Sequence, residues 1–231
     1  NQMCHKTVVS IFVNPKQFNN KKDFKTYPKN IKKDLKALNQ SKIVDFVYIP
    51  KFKDIFKNYK KPKIKLNEKD KILCAKYRKG HFEGVLDVMD RLTDIVRPAK
   101  IFMGNKDFQQ LILVKKYLKK KYDANVVGCK TIRTKNKVAL SSRNYLLSKG
   151  NLALASKIVR KLINVKKNIK NKKNKNKYLL TVKDDFQKQF KIKIEYLELR
   201  YINDLKLSNV INKSKLFVAY YLNGVRLIDN L

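Results

Sequence analysis

The sequence predicts an α/β protein, with a parallel sheet covered by helices on both faces and a smaller α+β domain at the C-terminus. Three observations support this class. Short β-branched runs alternate with helical apolar stripes, polar loops follow the runs, and the pattern changes after about residue 131. Strands that alternate with helices of this length form parallel sheets, because each helix returns the chain to the starting end of the sheet. We therefore predict a ligand-binding domain at residues 1–131 and a smaller domain at residues 132–231.

The first of these domains contains the alternating pattern. Strands are predicted at the apolar runs 6–13, 45–49, 100–103 and 125–129. Helices are predicted where apolar residues recur at intervals of three and four, at 28–38, 83–96 and 108–122. The first run is almost continuously apolar, which is typical of a strand that is buried on both faces.

The second domain has a different pattern of predicted elements. A helix is predicted at 151–169, and strand-like runs follow at 194–199 and 216–222. Between them, residues 166–177 form a lysine-rich tract of low complexity. A charged tract of this kind cannot bury an apolar core, so we expect a solvated linker or a mobile helix end.

The net charge of +38, from 56 basic and 18 acidic residues, suggests nucleic-acid binding when it is considered alone. However, 48 of the basic residues are lysine and only 8 are arginine, whereas phosphate and base recognition favours the arginine fork. The lysines are spread over nearly every segment, together with Asn, Ile, Tyr and Phe. Compositional drift on solvated faces is therefore the favoured interpretation, and a specific nucleic-acid partner is not expected. The charge would still attract anionic substrates.

Other features of the sequence exclude several classes of protein. Cys4, Cys74 and Cys129 include no CxxC pair, which argues against a disulfide framework or a zinc site and suits a reducing, cytoplasmic location. No apolar run reaches 18 residues, so neither a transmembrane helix nor a membrane partner is expected. The Walker A, GxGxxG, HExxH and GxSxG patterns do not occur.

Polar loops follow two of the predicted strands, where parallel sheets bind their ligands. One loop contains Asn14 and Gln17, and the other is GNKD at 104–107. In the second loop, Gly104 permits close approach, Lys106 supplies a point charge, and Asp107 could orient a hydroxyl or a metal ion. A helix N-terminus directly after this loop also favours anions, as phosphoryl chemistry requires. The alternative is that Asp107 merely caps the helix.

Two further segments contain candidate residues. Arg78 and His81 stand in the glycine-containing loop RKGHFEG, where the histidine could contact a ligand, transfer a proton, or be structural. Ser141, Ser142 and Arg143 offer two hydroxyls and a guanidinium in succession. Together they could clamp a phosphate, or a serine could cap a helix.

Six segments, in this order, resemble motifs of the pantothenate synthetase family. They are VVSIFVNPKQF (8–18), DFKTYPKNIKKDLKAL (23–38), RKGHFEGV (78–85), GNKDFQQL (104–111), VALSSRN (138–144) and RLIDN (226–230). Lys79 replaces the proline of the family's RPGHFxGV, and Asn105 replaces the glutamate of GEKDxQQL. The family's DG before the serine motif reads Asn136-Lys137. The resemblance runs from about Thr7 to Leu231.

This resemblance implies ATP-dependent condensation of pantoate with β-alanine through a pantoyl adenylate, with Mg²⁺. It also implies a cytoplasmic homodimer with a Rossmann-like domain and a C-terminal lid. Pantoate would be bound by Asn14, Gln17, Arg78 and Gln110. ATP would be bound by Gly104, Asn105, Lys106, Asp107, Ile132, Leu140, Ser141, Ser142 and Arg143. Catalytic roles would belong to Lys106, Arg143 and His81; no metal ligand is assigned.

The resemblance also predicts an HxGH motif in the turn after the first strand, where its histidines would contact the ATP phosphates. No such motif occurs in the sequence, and roughly forty residues of the usual N-terminus are expected to be missing. We expect a fragment of a complete enzyme, a degraded gene product, or a chain complemented by a second polypeptide, with weak activity by itself. The rival functions are a basic nucleic-acid-binding protein and another adenylate-forming nucleotidyltransferase on the same fold.

Overall fold

The computed structural model describes residues 3–57 and 64–231, which divide into two compact units. The first unit extends to Phe102 and includes Leu113–Val127, and the second contains Met103–Ile112 and Gly128–Leu231. The predicted domain boundary at residue 131 stays a prediction. The strands are β1 (Val8–Ser10), β2 (Phe46–Tyr48), β3 (Lys100–Gly104), β4 (Asn125–Cys129), β5 (Lys193–Tyr201), β6 (Ser214–Leu222) and β7 (Val225–Asn230). The α-helices are α1 (Lys21–Thr26), α2 (Ile31–Ser41), α3 (Phe52–Phe56), α4 (Cys74–Tyr77), α5 (His81–Val96), α6 (Phe108–Leu118), α7 (Lys149–Asn168) and α8 (Lys175–Phe190).

The predicted α/β class is confirmed. β1 pairs with β2 in parallel, with Val9 opposite Val47, and β3 pairs with β4. Within the described ranges these are two separate two-stranded sheets, where the sequence predicted one continuous sheet. The four predicted strands are all present, because each apolar run is short and ends at a polar or turn-forming residue.

The prediction for the first strand was wrong in its length and burial. The apolar run 6–13 yields only the three residues of β1, and Val8 is 41% exposed. β-branched residues favour an extended backbone, but burial depends on which elements cover the two faces of the strand. The composition of one run cannot supply that information.

Helix α5 is the longest helix of the first unit, and its apolar stripe is buried. Phe82, Val85, Leu86 and Val88 are all less than a tenth exposed. The helix ends at Val96, because the next residue, Arg97, has a left-handed backbone and is followed by Pro98. The helix also buries two acidic residues, and each is paired with a lysine. Asp87 pairs with Lys16, and Asp90 accepts two hydrogen bonds from Lys121, each at 2.8 Å.

The second unit contains the antiparallel sheet β5–β6–β7, which confirms the predicted smaller α+β part. Helices α7 and α8 pack with this sheet around one apolar core. Its fully or almost fully buried side chains include Ile158, Leu162, Ile169, Leu179, Leu199, Leu216 and Leu222. None of the helices in the described residues is long and apolar enough to cross a membrane.

The lysine-rich tract contains the end of one helix and the start of the next, and the interpretation that it buries no apolar residue was wrong. Helix α7 continues to Asn168, the 3₁₀ turn Ile169–Asn171 follows, and α8 begins at Lys175. Val165 and Ile169 extend the apolar stripe of α7 at a spacing of four residues, and Ile169 is completely buried. The Asn174 side chain then caps α8 by accepting a hydrogen bond from the Lys177 amide. A single apolar residue at the right spacing is therefore enough to anchor a highly charged tract.

Replacing Ile169 by alanine should lower the free energy of unfolding by about 2–5 kcal/mol, because it leaves a cavity in the core of the second unit. Leu180→Ala is the matched control, since Leu180 on α8 is 62% exposed and its loss should change the stability by less than about 0.5 kcal/mol. Urea denaturation measures both variants. Equal free energies of unfolding for the two variants would show that the lysine-rich tract is a linker outside the core.

Candidate active site

The loop formed by residues 14–18, here called the 14–18 loop, leaves β1 as a short 3₁₀ turn at Pro15–Gln17. Pro15 favours the first position of this turn, because its ring fixes φ and its missing amide proton is not needed there. Asn14 is only 1% exposed; its side-chain oxygen accepts a bond from the Lys16 amide at 3.1 Å. Its side-chain nitrogen donates to the Gly84 carbonyl at 2.9 Å. The structure thus places Asn14 under the loop as a brace between the loop and α5.

His81, the first residue of α5, contacts the same loop. Its Nδ1 lies 2.7 Å from the Gln17 carbonyl oxygen, and its Nε2 lies 2.9 Å from Arg78 Nη1. A carbonyl can only accept and a guanidinium can only donate, so these partners assign the proton to Nδ1 and leave Nε2 as an acceptor. Arg78 Nη2 also donates to the Gln17 carbonyl at 3.4 Å. Both ring nitrogens of His81 are therefore hydrogen-bonded, Nδ1 to the Gln17 backbone and Nε2 to Arg78, which itself contacts the same carbonyl.

Gly84, one turn further along α5, lets the helix touch the loop backbone. A Cβ atom at this position would meet the Lys16 carbonyl oxygen, and it would lie 2.6 Å from the Lys16 carbonyl carbon and 2.9 Å from the Gln17 nitrogen. These are backbone atoms, which cannot rotate away as the end of a side chain can. Only glycine permits this approach of helix and loop.

The pair formed by Lys16 and Asp87 is a feature that the sequence interpretation missed. Lys16 Nζ lies 2.9 Å from Asp87 Oδ2 and 3.5 Å from the centre of the Phe56 ring. Asp87 is fully buried, and its Oδ1 finds no hydrogen-bond donor in the part of the chain that the structure describes. Removing one partner of a buried pair destabilises a protein by about 3–5 kcal/mol, because the other charge is left uncompensated. An acidic residue within the apolar stripe of α5 was the signal that could have revealed the pair.

In the second unit, the GNKD segment (residues 104–107, the 104–107 loop) follows β3 as a 3₁₀ turn and continues directly into α6. Lys106 Nζ lies 3.5 Å from Asp107 Oδ1. The Asn105 side chain occupies the space where a Cβ of Gly128 would stand, so the glycine of β4 makes room for this loop. The loop therefore presents a cation and a carboxylate at the start of a helix.

The ATP-binding segment predicted around residues 132–143 forms a tight hairpin. The Leu140 amide donates to the Ile132 carbonyl at 2.9 Å, and Arg133 pairs with Ala139 between them. Ile132 and Leu140 are 65% and 52% exposed, so the hairpin presents two neighbouring apolar side chains to solvent. An exposed apolar pair of this kind can receive the flat face of a base.

The serine segment confirms one of the alternatives considered from the sequence. Ser141 caps the 3₁₀ turn Ser142–Leu146, because its Oγ accepts a bond from the Arg143 amide at 3.3 Å. Ser142 and Arg143 are half-buried. Gln17, in the first unit, and Gln110, in the second, are half-buried as well. The assignment of these residues to pantoate and ATP stays a prediction.

The sequence as a whole, residues 1–231, matches the family model described as Pantoate-beta-alanine ligase. The chain belongs to the pantoate–β-alanine ligase family. Members of this family condense pantoate and β-alanine with ATP, and this chain is a ligase of that type. The family assignment predicted from the six motifs is confirmed.

Known members of the ligase family are similar to this chain over nearly all of its length. The pantothenate synthetase of Flavobacterium psychrophilum is 36% identical over 232 residues, which cover 97% of this chain and 81% of that protein. The enzyme of Leptospira interrogans serogroup Icterohaemorrhagiae serovar copenhageni is 39% identical, covering 98% of this chain and 80% of the relative.

Solved structures of the ligase family show the same fold. The Thermus thermophilus pantothenate synthetase matches with a TM-score of 0.88 at 28% identity, over 98% of this chain and 83% of that one. The Francisella tularensis ligase, solved in complex with beta-gamma ATP and beta-alanine, matches with a TM-score of 0.81 at 33% identity, over 98% of this chain and 78% of that one.

Gly84→Ala should lower the free energy of unfolding by about 1–3 kcal/mol, because the added methyl group collides with the backbone of the 14–18 loop. Gly150→Ala is the matched control. The nearest atom to a Cβ there is Ser148 Oγ at 3.9 Å, and Gly150 lies within α7, where alanine is the better helix former. Thermal and urea unfolding of the two variants test the contact. A Gly84 variant as stable as the Gly150 variant would contradict it.

Proposed function

We propose that this chain forms pantoyl adenylate with the 14–18 loop and Gln110 binding pantoate, while the 104–107 loop and the hairpin at 132–143 bind ATP. One observation carries the proposal: the backbone of Gln17 is fixed by His81 and Arg78, and the loop around it is braced by Asn14. A binding residue held this firmly loses little conformational freedom when the substrate arrives.

Pantoate offers two hydroxyls and a carboxylate, and a primary amide can donate to one of these groups and accept from another. Gln17 and Gln110 are half-buried, so their amides stay accessible while their stems are packed. The contacts of Asn14, Arg78 and His81 support a different role for these three residues. We propose that they position Gln17 by holding the loop, and that proton transfer by His81 is not required.

ATP is bound through charge and through its base. Lys106 and Arg143 supply cations for the phosphates, and the start of α6 adds backbone dipoles. Ile132 and Leu140 are exposed apolar side chains that suit the adenine ring. Ser141 and Ser142 complete the segment, with Ser141 Oγ ordering the turn that presents Arg143. Gly104 and Asn105 shape the loop at the point where the phosphates approach.

The reaction then has two steps. A carboxylate oxygen of pantoate attacks the α-phosphorus of ATP, the bond to the β-phosphate bridging oxygen breaks, and pyrophosphate leaves. The amine of β-alanine next attacks the acyl carbon, loses a proton, and AMP leaves with the carboxylate oxygen. In the first step, negative charge grows on the phosphate oxygens, so Lys106 and Arg143 stabilise the transition state more strongly than the ground state.

Mg²⁺ would arrive with the ATP phosphates and neutralise part of their charge. In the described residues, no cluster of three or more His, Cys, Asp or Glu could hold a metal by itself. The residues present nevertheless fit a phosphate-bound Mg²⁺, which needs only one or two protein carboxylates. Asp107, which is about half exposed beside Lys106, would supply that ligand.

We also propose a cytoplasmic homodimer, as the family resemblance implies. Cys4, Cys74 and Cys129 are free thiols, which is the state that a reducing compartment maintains. Analytical ultracentrifugation would decide the oligomeric state, because a dimer would sediment at twice the mass of the 27.2 kDa chain.

Gln17→Ala should raise the pantoate concentration needed for half-maximal pantoate-dependent ATP–pyrophosphate exchange by about tenfold or more, since the variant loses hydrogen bonds to the substrate. The ATP requirement should stay unchanged. Gln40→Ala is the control, because Gln40 lies exposed on α2 and should affect neither requirement.

The exchange assay should be run on the 231-residue chain and on the same chain joined to the N-terminal segment of the Flavobacterium psychrophilum relative. The proposal is contradicted if Gln17→Ala leaves the pantoate requirement unchanged in an active protein. No exchange by the joined protein would overturn the proposed reaction. Tight, steeply salt-dependent and selective RNA binding would favour the nucleic-acid alternative.

A further inference from the structure

We infer that Asn230, the penultimate residue, is a positioning residue for ATP, because its side chain fixes the 104–107 loop in the shape that receives the phosphates. This inference rests on the proposed role of the loop. It concerns the RLIDN segment, which the sequence interpretation identified only as a closing motif without any chemical role. Both the segment and the loop belong to the second unit.

The contact between Asn230 and the loop consists of two hydrogen bonds. Asn230 Nδ2 donates to the carbonyl oxygens of Asn105 at 2.8 Å and Lys106 at 2.9 Å. The side chain is only 3% exposed. Two carbonyl oxygens can only accept, so the orientation of the amide follows from its partners. Both protons of the Asn230 amide are thereby used on consecutive peptide groups of one loop.

These two bonds determine where the loop directs its amide protons. In a trans peptide, the C=O and the following N–H point in opposite directions, and no cis peptide occurs in the described residues. When the Asn105 and Lys106 carbonyls face Asn230, the amides of Lys106 and Asp107 must point away from it. These two successive amides, on the side of the loop opposite the buried brace and just before α6, are then oriented to donate to an anion.

Asn230 is itself held firmly, so it can act as a fixed support. The backbone amide of Asn230 donates to Asp229 Oδ1 at 2.7 Å, and its backbone carbonyl accepts from Arg133 Nη2 at 3.1 Å. Arg133 also forms a two-pronged ion pair with Asp229, at 2.6 and 2.8 Å. The side-chain hydrogen bonds to Asp229 raise the pKa of Arg133 above its usual value. The ion pair between Arg133 and Asp229 joins β7 to the hairpin that also contains Ile132 and Leu140.

The neighbouring strand β6 packs against the end of the same loop. In the β6–β7 register, Phe217 is opposite Asn230. The Phe217 ring contacts the ring of Phe108, the first residue of α6, at 5.9 Å between centroids. The loop is therefore enclosed between an aromatic contact at its end and the Asn230 amide at its middle.

Stability alone is a poor explanation for this asparagine. Its Oδ1 is buried and meets no hydrogen-bond donor among the residues that the structure describes. A buried amide with an unsatisfied oxygen offsets much of what its two donor bonds contribute. We therefore infer that the Asn230 side chain determines the shape of the 104–107 loop and adds little to the free energy of unfolding.

The test measures ATP binding to the 231-residue chain by calorimetry, together with the unfolding midpoint, for Asn230→Ala and Asn230→Asp. Loss of two hydrogen bonds should weaken ATP binding about tenfold in the alanine variant. The aspartate variant should be weaker still, since its carboxylate opposes two carbonyl oxygens. Asn209→Ala, at an exposed position outside the loop, should leave the affinity unchanged.

Leu227→Ala separates positioning from general destabilisation. Leu227 is an apolar core residue of the same strand and is 7% exposed. Its loss should therefore lower the unfolding midpoint but leave the ATP affinity of the folded protein intact. An ATP affinity that is unchanged in Asn230→Ala, or that falls equally in Leu227→Ala, would overturn this inference but not the proposed function. Absence of saturable ATP binding by the unaltered chain would overturn the proposed function as well.

Discussion

The contact of Gly84 with the backbone of Lys16 is the constraint on which the packing of the 14–18 loop against α5 depends. Because no side chain separates the helix from the loop, His81 can reach the Gln17 carbonyl and Asn14 can reach the Gly84 carbonyl. The buried pair of Lys16 and Asp87 is possible only at the same close approach. Any larger residue at position 84 would separate all of these partners at once.

The second unit obtains a rigid loop by a different route. The 104–107 loop is held by the last strand of the chain, and that strand is fixed by the Arg133–Asp229 fork. In both units, a short loop after a strand is shaped by residues that are remote in sequence. Loops that carry function are often held in this way, since positioning a ligand requires side chains and amides that do not move when it binds.

The sequence predicted the α/β class and helix α5 because periodicity and strand–helix alternation are local properties. Helix α8 was not predicted, since its start lies within a lysine-rich tract and its apolar residues are sparse. The family resemblance supplied the candidate residues at the ligand loops, but not the residues that hold those loops in place. Lys16 and Asp87 are 71 positions apart, and Asn230 is 124 positions from Lys106. Such contacts depend on tertiary packing, which no local pattern encodes.

The most direct test of the account follows the oxygen atoms of pantoate. Pantoate labelled with ¹⁸O in its carboxylate is supplied with ATP and β-alanine to the chain joined to the N-terminal segment of its Flavobacterium psychrophilum relative. Mass spectrometry then locates the label. Attack of the carboxylate on the α-phosphorus predicts that AMP acquires one ¹⁸O while pantothenate retains the other. Unlabelled AMP, or label in inorganic phosphate together with ADP, would contradict an adenylate intermediate.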